Sequence, residues 1–139
     1  MITQAYGFCF GAKKLVQGAN EKLFRSMALV HPSFFQPEDA DNVSVPIALL
    51  PSQGEDKDVM NGFWDKIQEK DIAKQSIRQD FVGSKSPGIS SVIILLTGIS
   101  QLDVHHGFAS ARSNWADPHL ASRAAEAYAI MKRFFQDTL

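Results

Sequence analysis

A single cysteine lies in a glycine-flanked turn near the start of the chain. The residues Gly7-Phe8-Cys9-Phe10-Gly11 form a G-x-C-x-G pattern where a short apolar segment meets residues typical of a helix. A nucleophile elbow has this pattern, because glycines let strand and helix pass closely while the central residue takes a strained conformation. We expect a thiolate at Cys9 that attacks a carbonyl carbon, with the backbone N–H of Phe10 holding the oxyanion. The alternative is that Cys9 is a small buried apolar residue in a glycine-rich turn.

Other uses of the cysteine and the histidines are less consistent with their spacing. Cys9, His31, His105 and His106 are all potential zinc ligands, but no pair has the Cys-x-x-Cys or His-x-x-x-His spacing of zinc sites. We therefore predict no metal and no other cofactor. Redox chemistry at Cys9 ranks last, because the chain has no second cysteine to resolve an oxidised thiol.

The elements that would position these residues alternate between strand and helix. Short apolar segments predict strands, namely Ile2 to Tyr6, Ser26 to Val30 and Val45 to Leu50. Helical spacing, prolines and capping residues predict helices, namely Ala12 to Asn20, a short turn at Pro37 to Asp41, Lys57 to Lys70, and a terminal helix that starts at Asp117-Pro118. The terminal helix carries Ala124, Tyr128, Met131 and Phe135 at helical spacing. This order predicts the α/β class with a mainly parallel sheet covered on both faces.

Composition limits the class of protein. The 139 residues suit a single domain, and 45% apolar with 21% charged residues is typical of a globular chain. A net charge of -1 offers no basic field, so we expect neither nucleic acid nor a membrane surface as partner. The longest apolar run, Val92 to Leu96, is too short to cross a bilayer, and no secretory leader is visible. A lone cysteine fits a reducing compartment, so we predict a cytoplasmic location.

Four motifs in order resemble the dienelactone hydrolase family of the α/β-hydrolase superfamily. They are GFCFGA at Gly7 to Ala12, His31-Pro32-Ser33, PSQGED at Pro51 to Asp56, and His106-Gly107-Phe108. The resemblance implies a partial α/β-hydrolase fold, covering the family's C-terminal portion. It also implies cleavage of a small ester or lactone by a Cys, Asp and His triad, without metal or organic cofactor.

The resemblance assigns the remaining triad members. Asp56 matches the family's acid and would orient the imidazole, with Glu55 as the other candidate. As an alternative, both carboxylates merely favour the start of the Lys57 helix. His106 matches the family's histidine, and Gly107 after it allows the loop to bring the ring over the thiol.

Substrate contacts are expected beyond the triad. Arg112 could bind a substrate carboxylate in a bidentate manner, or form an ion pair with Asp117 or another acid. The side chains of Phe8, Phe10 and Phe108 would line an apolar pocket, unless they belong to the ordinary core.

The chain departs from the family in two places. Only eight residues precede Cys9, so the strands and the early oxyanion loop that normally come first are absent, and an artefact of the gene model would explain this. The strand at Ile2 to Tyr6 would then be an exposed edge, which favours instability or self-association. Ser84 to Gln101 reads as an insertion, such as a translated intron. In the alternative interpretation, Val92 to Thr97 is the last strand before the histidine loop and displaces Ile77 to Phe81.

The sequence therefore predicts a carboxylic ester or lactone hydrolase that uses Cys9, Asp56 and His106, with Phe10 N–H as oxyanion donor and Arg112 as substrate contact. The partner is a small-molecule ester or lactone. The alternative is a catalytically inactive truncated homologue that acts, if at all, by association through its exposed sheet edge.

Overall fold

The sheet of this molecule consists of four parallel strands. The computed structural model describes residues 3–21, 23–81 and 103–139. Within them, the strands are β1 (Thr3–Phe8), β2 (Phe24–Val30), β3 (Ile47–Leu50) and β4 (Ile77–Arg78). They pair in the order β1-β2-β3-β4, and every pairing is parallel.

Helices separate the strands along the chain. The α-helices are α1 (Phe10–Gly18), α2 (Lys57–Gln68) and α3 (Pro118–Asp137), and short 3-10 helices occupy Ala19–Glu21, Pro37–Asn42 and Asp71–Gln75. The prediction of an α/β class with a parallel sheet is therefore confirmed. Asp117 caps α3 as expected, because its carboxylate accepts from the backbone N–H groups of His119 and Leu120. None of the helices in the described ranges is both long and apolar enough to cross a membrane.

Both faces of the central strands are covered. In β2, Met27 and Leu29 belong to a core that includes α1 and α2, while Ala28 and Val30 belong to a second core that includes α3. The same alternation occurs in β3, where all four side chains are buried. This explains why these strands are continuous apolar runs in the sequence.

The buried face of α3 agrees with the predicted stripe at Ala124 and Met131, which are both buried, but not at its other two positions. Ala127 and Phe134 are buried, whereas Tyr128 is exposed and Phe135 only half-buried. The Tyr128 hydroxyl donates to the carbonyl oxygen of Ala109. Two adjoining stripes satisfy the same helical spacing, and the stripe that includes Ala127 is the one that packs in the cluster with Ala28 and Ala48 of the sheet.

The carboxyl ends of three strands are level with one another. Phe8 is paired with Val30, and Val30 with Leu50, at the last residues of β1, β2 and β3. The loops that follow these strands therefore leave the sheet at one edge, as is general for ligand sites in parallel sheets.

Two predictions concern the stretch before the histidine loop. Ile77 and Arg78 form β4 beside β3, so the segment Ile77 to Phe81 contributes to the sheet. The proposed insertion, Ser84 to Gln101, and the alternative strand, Val92 to Thr97, lie outside the described residues.

Candidate active site

Cys9 occupies the apex of the turn between β1 and α1. Its backbone has φ 56° and ψ -125°, the strained conformation expected of an elbow. A Cβ on Gly7 would lie 2.6 Å from the backbone nitrogen of Ala12, so this position requires glycine. A Cβ on Gly11 would meet nothing within 4 Å. The expectation that both glycines prevent a collision therefore holds for Gly7 alone.

Two further loops are tied to this turn and to each other. The backbone N–H of Ser33, just after β2, donates to the carbonyl oxygen of Cys9 at 3.1 Å. The N–H of Gln53, after β3, donates to the carbonyl oxygen of Val104 at 2.9 Å. This bond joins the loop that carries Glu55 and Asp56 (the acid loop) to the loop that carries His106 (the histidine loop). These two bonds join backbone groups, so they hold the loops together whatever the side chains are.

His106 links the thiol of Cys9 to a carboxylate. Its Nε2 lies 3.1 Å from Cys9 Sγ, and its Nδ1 lies 2.6 Å from Glu55 Oε1. A Cβ on Gly54 would lie 2.6 Å from the Cβ of His106, so glycine at this position allows the imidazole to pack against the acid loop. The arrangement is the order nucleophile, base and orienting acid that nucleophilic catalysis requires.

The acid beside the imidazole is Glu55, where the sequence favoured Asp56. Asp56 is instead the N-cap of α2, and its Oδ1 accepts from the N–H groups of Asp58 and Val59 at 2.9 and 3.1 Å. The Glu55 side chain is 4% exposed and is held by Ser52, which donates to it from both its backbone N–H and its hydroxyl. The Asp56 carboxylate therefore caps α2, while the Glu55 carboxylate faces the His106 imidazole.

The surroundings lower the pKa of Cys9 and raise that of His106. The hydrogen bond from Ser33 is the largest cause that lowers the pKa of Cys9, and bonds from His106 and the Phe10 N–H act in the same direction against the effect of burial. For His106, burial lowers the pKa, but the bonds to Glu55 and Cys9 outweigh it and the net pKa is raised. Both shifts stabilise a proton on His106 and a charge on sulfur.

His31 lies directly beneath the catalytic candidates. Its ring is fully buried, meets the His106 ring edge to face at 4.8 Å, and contacts Ser110 Oγ through Nε2 at 3.2 Å. Its Nδ1 has no hydrogen-bond partner among the described residues. Burial, followed by repulsion from His106, lowers its pKa to about 4, so His31 is a neutral packing group.

Other predicted contacts are distributed around the site. Arg112 is exposed, its side-chain stem packs over Gly107, and the described residues offer it no carboxylate partner. The imidazole Nδ1 of His105 lies 3.0 Å from the carbonyl oxygen of His106. Of the phenylalanines, Phe108 is core, whereas Phe10 is half-exposed at the elbow.

Two residues of the site were missed as functional residues by the sequence reasoning. Ser33 contacts both the sulfur and the imidazole, and Ser52 holds Glu55. The sequence offers only a weak pattern for these two serines, because each follows a proline just after a buried strand. The segments are His31-Pro32-Ser33 and Pro51-Ser52. Within the described ranges, no three His, Cys, Asp or Glu side chains are grouped so that they could hold a metal ion.

Comparison with known proteins identifies two relatives in fission yeast. The chain is similar to two uncharacterized AIM2 family proteins of Schizosaccharomyces pombe, at 32% identity over 133 residues and 28% over 134 residues. Each alignment covers 96% of this chain and 46% of the relative. No family model matches the chain, and no solved structure matches it. The chain therefore spans about half the length of the curated relatives it matches.

Proposed function

We propose that this chain hydrolyses a small ester or lactone through a thioester on Cys9. The observation that carries the proposal is the chain of contacts from Glu55 through His106 to Cys9, at 2.6 and 3.1 Å. Three loops from three parts of the sequence contribute these groups, and a cluster without function would not require such an arrangement.

In the first half of the reaction, the Cys9 thiolate attacks the carbonyl carbon and the carbonyl π electrons move onto oxygen. The N–H of Phe10, which already points at the sulfur, stabilises that oxyanion. Collapse of this tetrahedral intermediate breaks the C–O bond of the ester, and the leaving alkoxide takes the proton from His106 Nε2. The products are a thioester at Cys9 and a neutral imidazole, which Glu55 keeps in the productive tautomer.

In the second half, water loses a proton to His106 Nε2 and attacks the thioester carbon. The C–S bond then breaks, and the acid leaves while the resting thiolate and imidazolium return. No oxidant, metal or organic cofactor enters the balance.

We also propose that the sheet is the C-terminal part of an α/β-hydrolase fold. Three features support this reading: the elbow between β1 and α1, the order Cys9, Glu55 and His106 along the chain, and their meeting at the carboxyl ends of parallel strands.

The test is hydrolysis of p-nitrophenyl acetate and of a small enol lactone by the native chain, Cys9→Ser and Cys9→Ala. We expect turnover by the native chain, an acetyl adduct on Cys9 by mass spectrometry, and a loss on the order of 1000-fold or more in both variants. Equal rates in all three chains would contradict the proposal.

A second candidate function rests on the edge of the sheet. Among the described residues, β1 pairs with β2 alone, and its Tyr6 side chain is 59% exposed. An unpaired parallel edge with an exposed aromatic residue is a template for pairing with another chain. This alternative is a catalytically silent chain that associates through β1.

A further inference from the structure

Ser33 is held against the sulfur by an unusual stretch of backbone. His31 before it and Phe34 after it both have positive φ, 36° and 59°, which non-glycine residues seldom adopt. The turn brings the N–H of Ser33 onto the carbonyl oxygen of Cys9. Strain of this kind persists only where surrounding contacts impose it, and here it fixes the direction of one hydroxyl.

The hydroxyl faces both reacting groups of the proposed mechanism. Ser33 Oγ lies 3.1 Å from Cys9 Sγ and 3.4 Å from His106 Nε2. In the ion-pair form, Nε2 carries a proton and is no acceptor, whereas the thiolate is a strong one. The single proton of the hydroxyl is then directed at the sulfur.

We propose that Ser33 is a fourth catalytic residue of this site, whose hydroxyl donates to the Cys9 thiolate and holds the resting enzyme as a thiolate–imidazolium pair. This role rests on the proposed function and extends it, because the other donors to the sulfur among the described residues are Nε2 and the Phe10 amide. The lowered pKa of Cys9, with Ser33 as its largest cause, agrees with the geometry.

The role also differs between the two halves of the reaction. Once Cys9 is acylated, the thioester sulfur carries no charge and accepts a hydrogen bond poorly. Nε2 is then neutral and can accept a hydrogen bond. The Ser33 hydroxyl therefore no longer donates to the sulfur, and it is free to turn toward Nε2, where the hydrolytic water must bind. Ser33 itself loses no proton at any step.

The experiment compares Ser33→Val with Ser33→Thr, two side chains of nearly equal shape that differ in the hydroxyl. The rate of Cys9 alkylation by iodoacetamide is measured against pH, because alkylation reports the thiolate without any substrate. We expect the midpoint of the profile to rise by about one pH unit in Ser33→Val, and alkylation below the midpoint to slow about tenfold. Ser33→Thr stays within about twofold of the native rate.

Ser33→Ala is a second variant without the hydroxyl, for the case in which valine disturbs the turn, and far-UV circular dichroism checks the fold of each variant. A native midpoint in folded Ser33→Val or Ser33→Ala would overturn the role of Ser33, even if ester hydrolysis is found. A raised midpoint in a chain that hydrolyses no ester would support the hydrogen bond and overturn its part in catalysis. A raised midpoint with slowed hydrolysis, both restored by threonine, supports the whole proposal.

Discussion

The negative charge that orients His106 belongs to one of two adjacent carboxylates. We expect Glu55→Gln to lower kcat/KM by about 100- to 10,000-fold, because an uncharged amide neither stabilises the imidazolium nor fixes its tautomer. Asp56→Asn is the matched control. Asparagine caps a helix as well as aspartate does, so this variant keeps both α2 and the activity within about twofold. Steady-state hydrolysis of the activated ester measures both, and a larger loss in Asp56→Asn would return the role to Asp56.

Adjacent acids show why the sequence predicts the site only in part. The pattern around Cys9 and the histidine before Gly107 led to the two residues that meet in the structure. Asp56 is also a favourable N-cap residue for α2. Glu55 and Asp56 differ by one position, and that position decides whether the carboxylate faces the amides of α2 or the imidazole of His106. Ser52 donates to the Glu55 carboxylate and so holds it beside His106. A turn of this kind has no periodic pattern in the sequence, so it could not be predicted.

His31 gives the fold a pH dependence of predictable sign. Its pKa is about 4 in the folded chain, below the ordinary value of 6.5, so between these values the unfolded chain binds a proton that the folded chain does not. The free energy of unfolding contributed by this group therefore falls as pH drops from about 6.5 toward 4. We expect His31→Phe to flatten this part of the dependence.

Chemical unfolding at neutral and mildly acidic pH measures the effect, as the difference between His31→Phe and the native chain at each pH. The carboxylates titrate in both chains and cancel in that difference. The same slope in both chains would contradict a neutral, buried His31.

At the scale of elements, the histidine loop is anchored to α3 by an ion pair. Arg123 donates to Asp103 Oδ2 from Nε and Nη2, at 2.9 and 2.6 Å, three residues before His106. This contact raises the pKa of Arg123 above its ordinary value. Both side chains are largely buried, so removal of one partner leaves the other charge poorly solvated.

We expect Arg123→Gln to lower the free energy of unfolding by about 1 to 3 kcal/mol and to slow ester hydrolysis as the loop loosens. Arg133→Gln is the control on the same helix. The Arg133 side chain is 86% exposed, and its Nε lies 3.7 Å from Asp137 Oδ2, a longer and weaker ion pair. Its unfolding free energy stays close to the native value. Equal losses in the two variants, from denaturant curves, would show that the anchor has no special role.

The elements themselves were largely predictable, and the exceptions have physical causes. Strands β2 and β3 are buried on both faces, so they stand out as apolar runs that end at Pro32 and Pro51. Strand β4 is two residues long and has little pattern to detect. On α3, Tyr128 fits the spacing of the stripe, but its hydroxyl bonds to a loop carbonyl and the ring stays at the surface. Spacing fixes a helix more firmly than it fixes which face is buried.

At the scale of the whole molecule, β1 is the edge strand of the sheet that the described residues form. The register pairs β1 with β2 from Thr3 to Phe8, and no second strand among the described residues pairs with β1. Thr3 and Tyr6 are exposed there. Natural sheets commonly block such edges with lysine, proline or a bulge. β1 contains neither lysine nor proline, and its one irregularity of register, between Thr3 and Gln4, lies in the pairing with β2.

We therefore expect the chain to self-associate with increasing concentration, because backbone pairing at β1 and burial of Tyr6 both favour a second copy. Tyr6→Lys should shift sedimentation toward the monomer, since pairing would desolvate a charge beside another chain. Trp115→Lys is the control, as Trp115 is equally exposed but lies outside the sheet. A monomer at every concentration, or equal effects of the two lysines, would exclude association through β1. If Tyr6→Lys keeps ester hydrolysis while it loses association, then the edge and the Cys9 site act independently. The structure agrees with that outcome, because the elbow is bonded on the β2 side of β1, where the Cys9 N–H donates to the carbonyl oxygen of Val30.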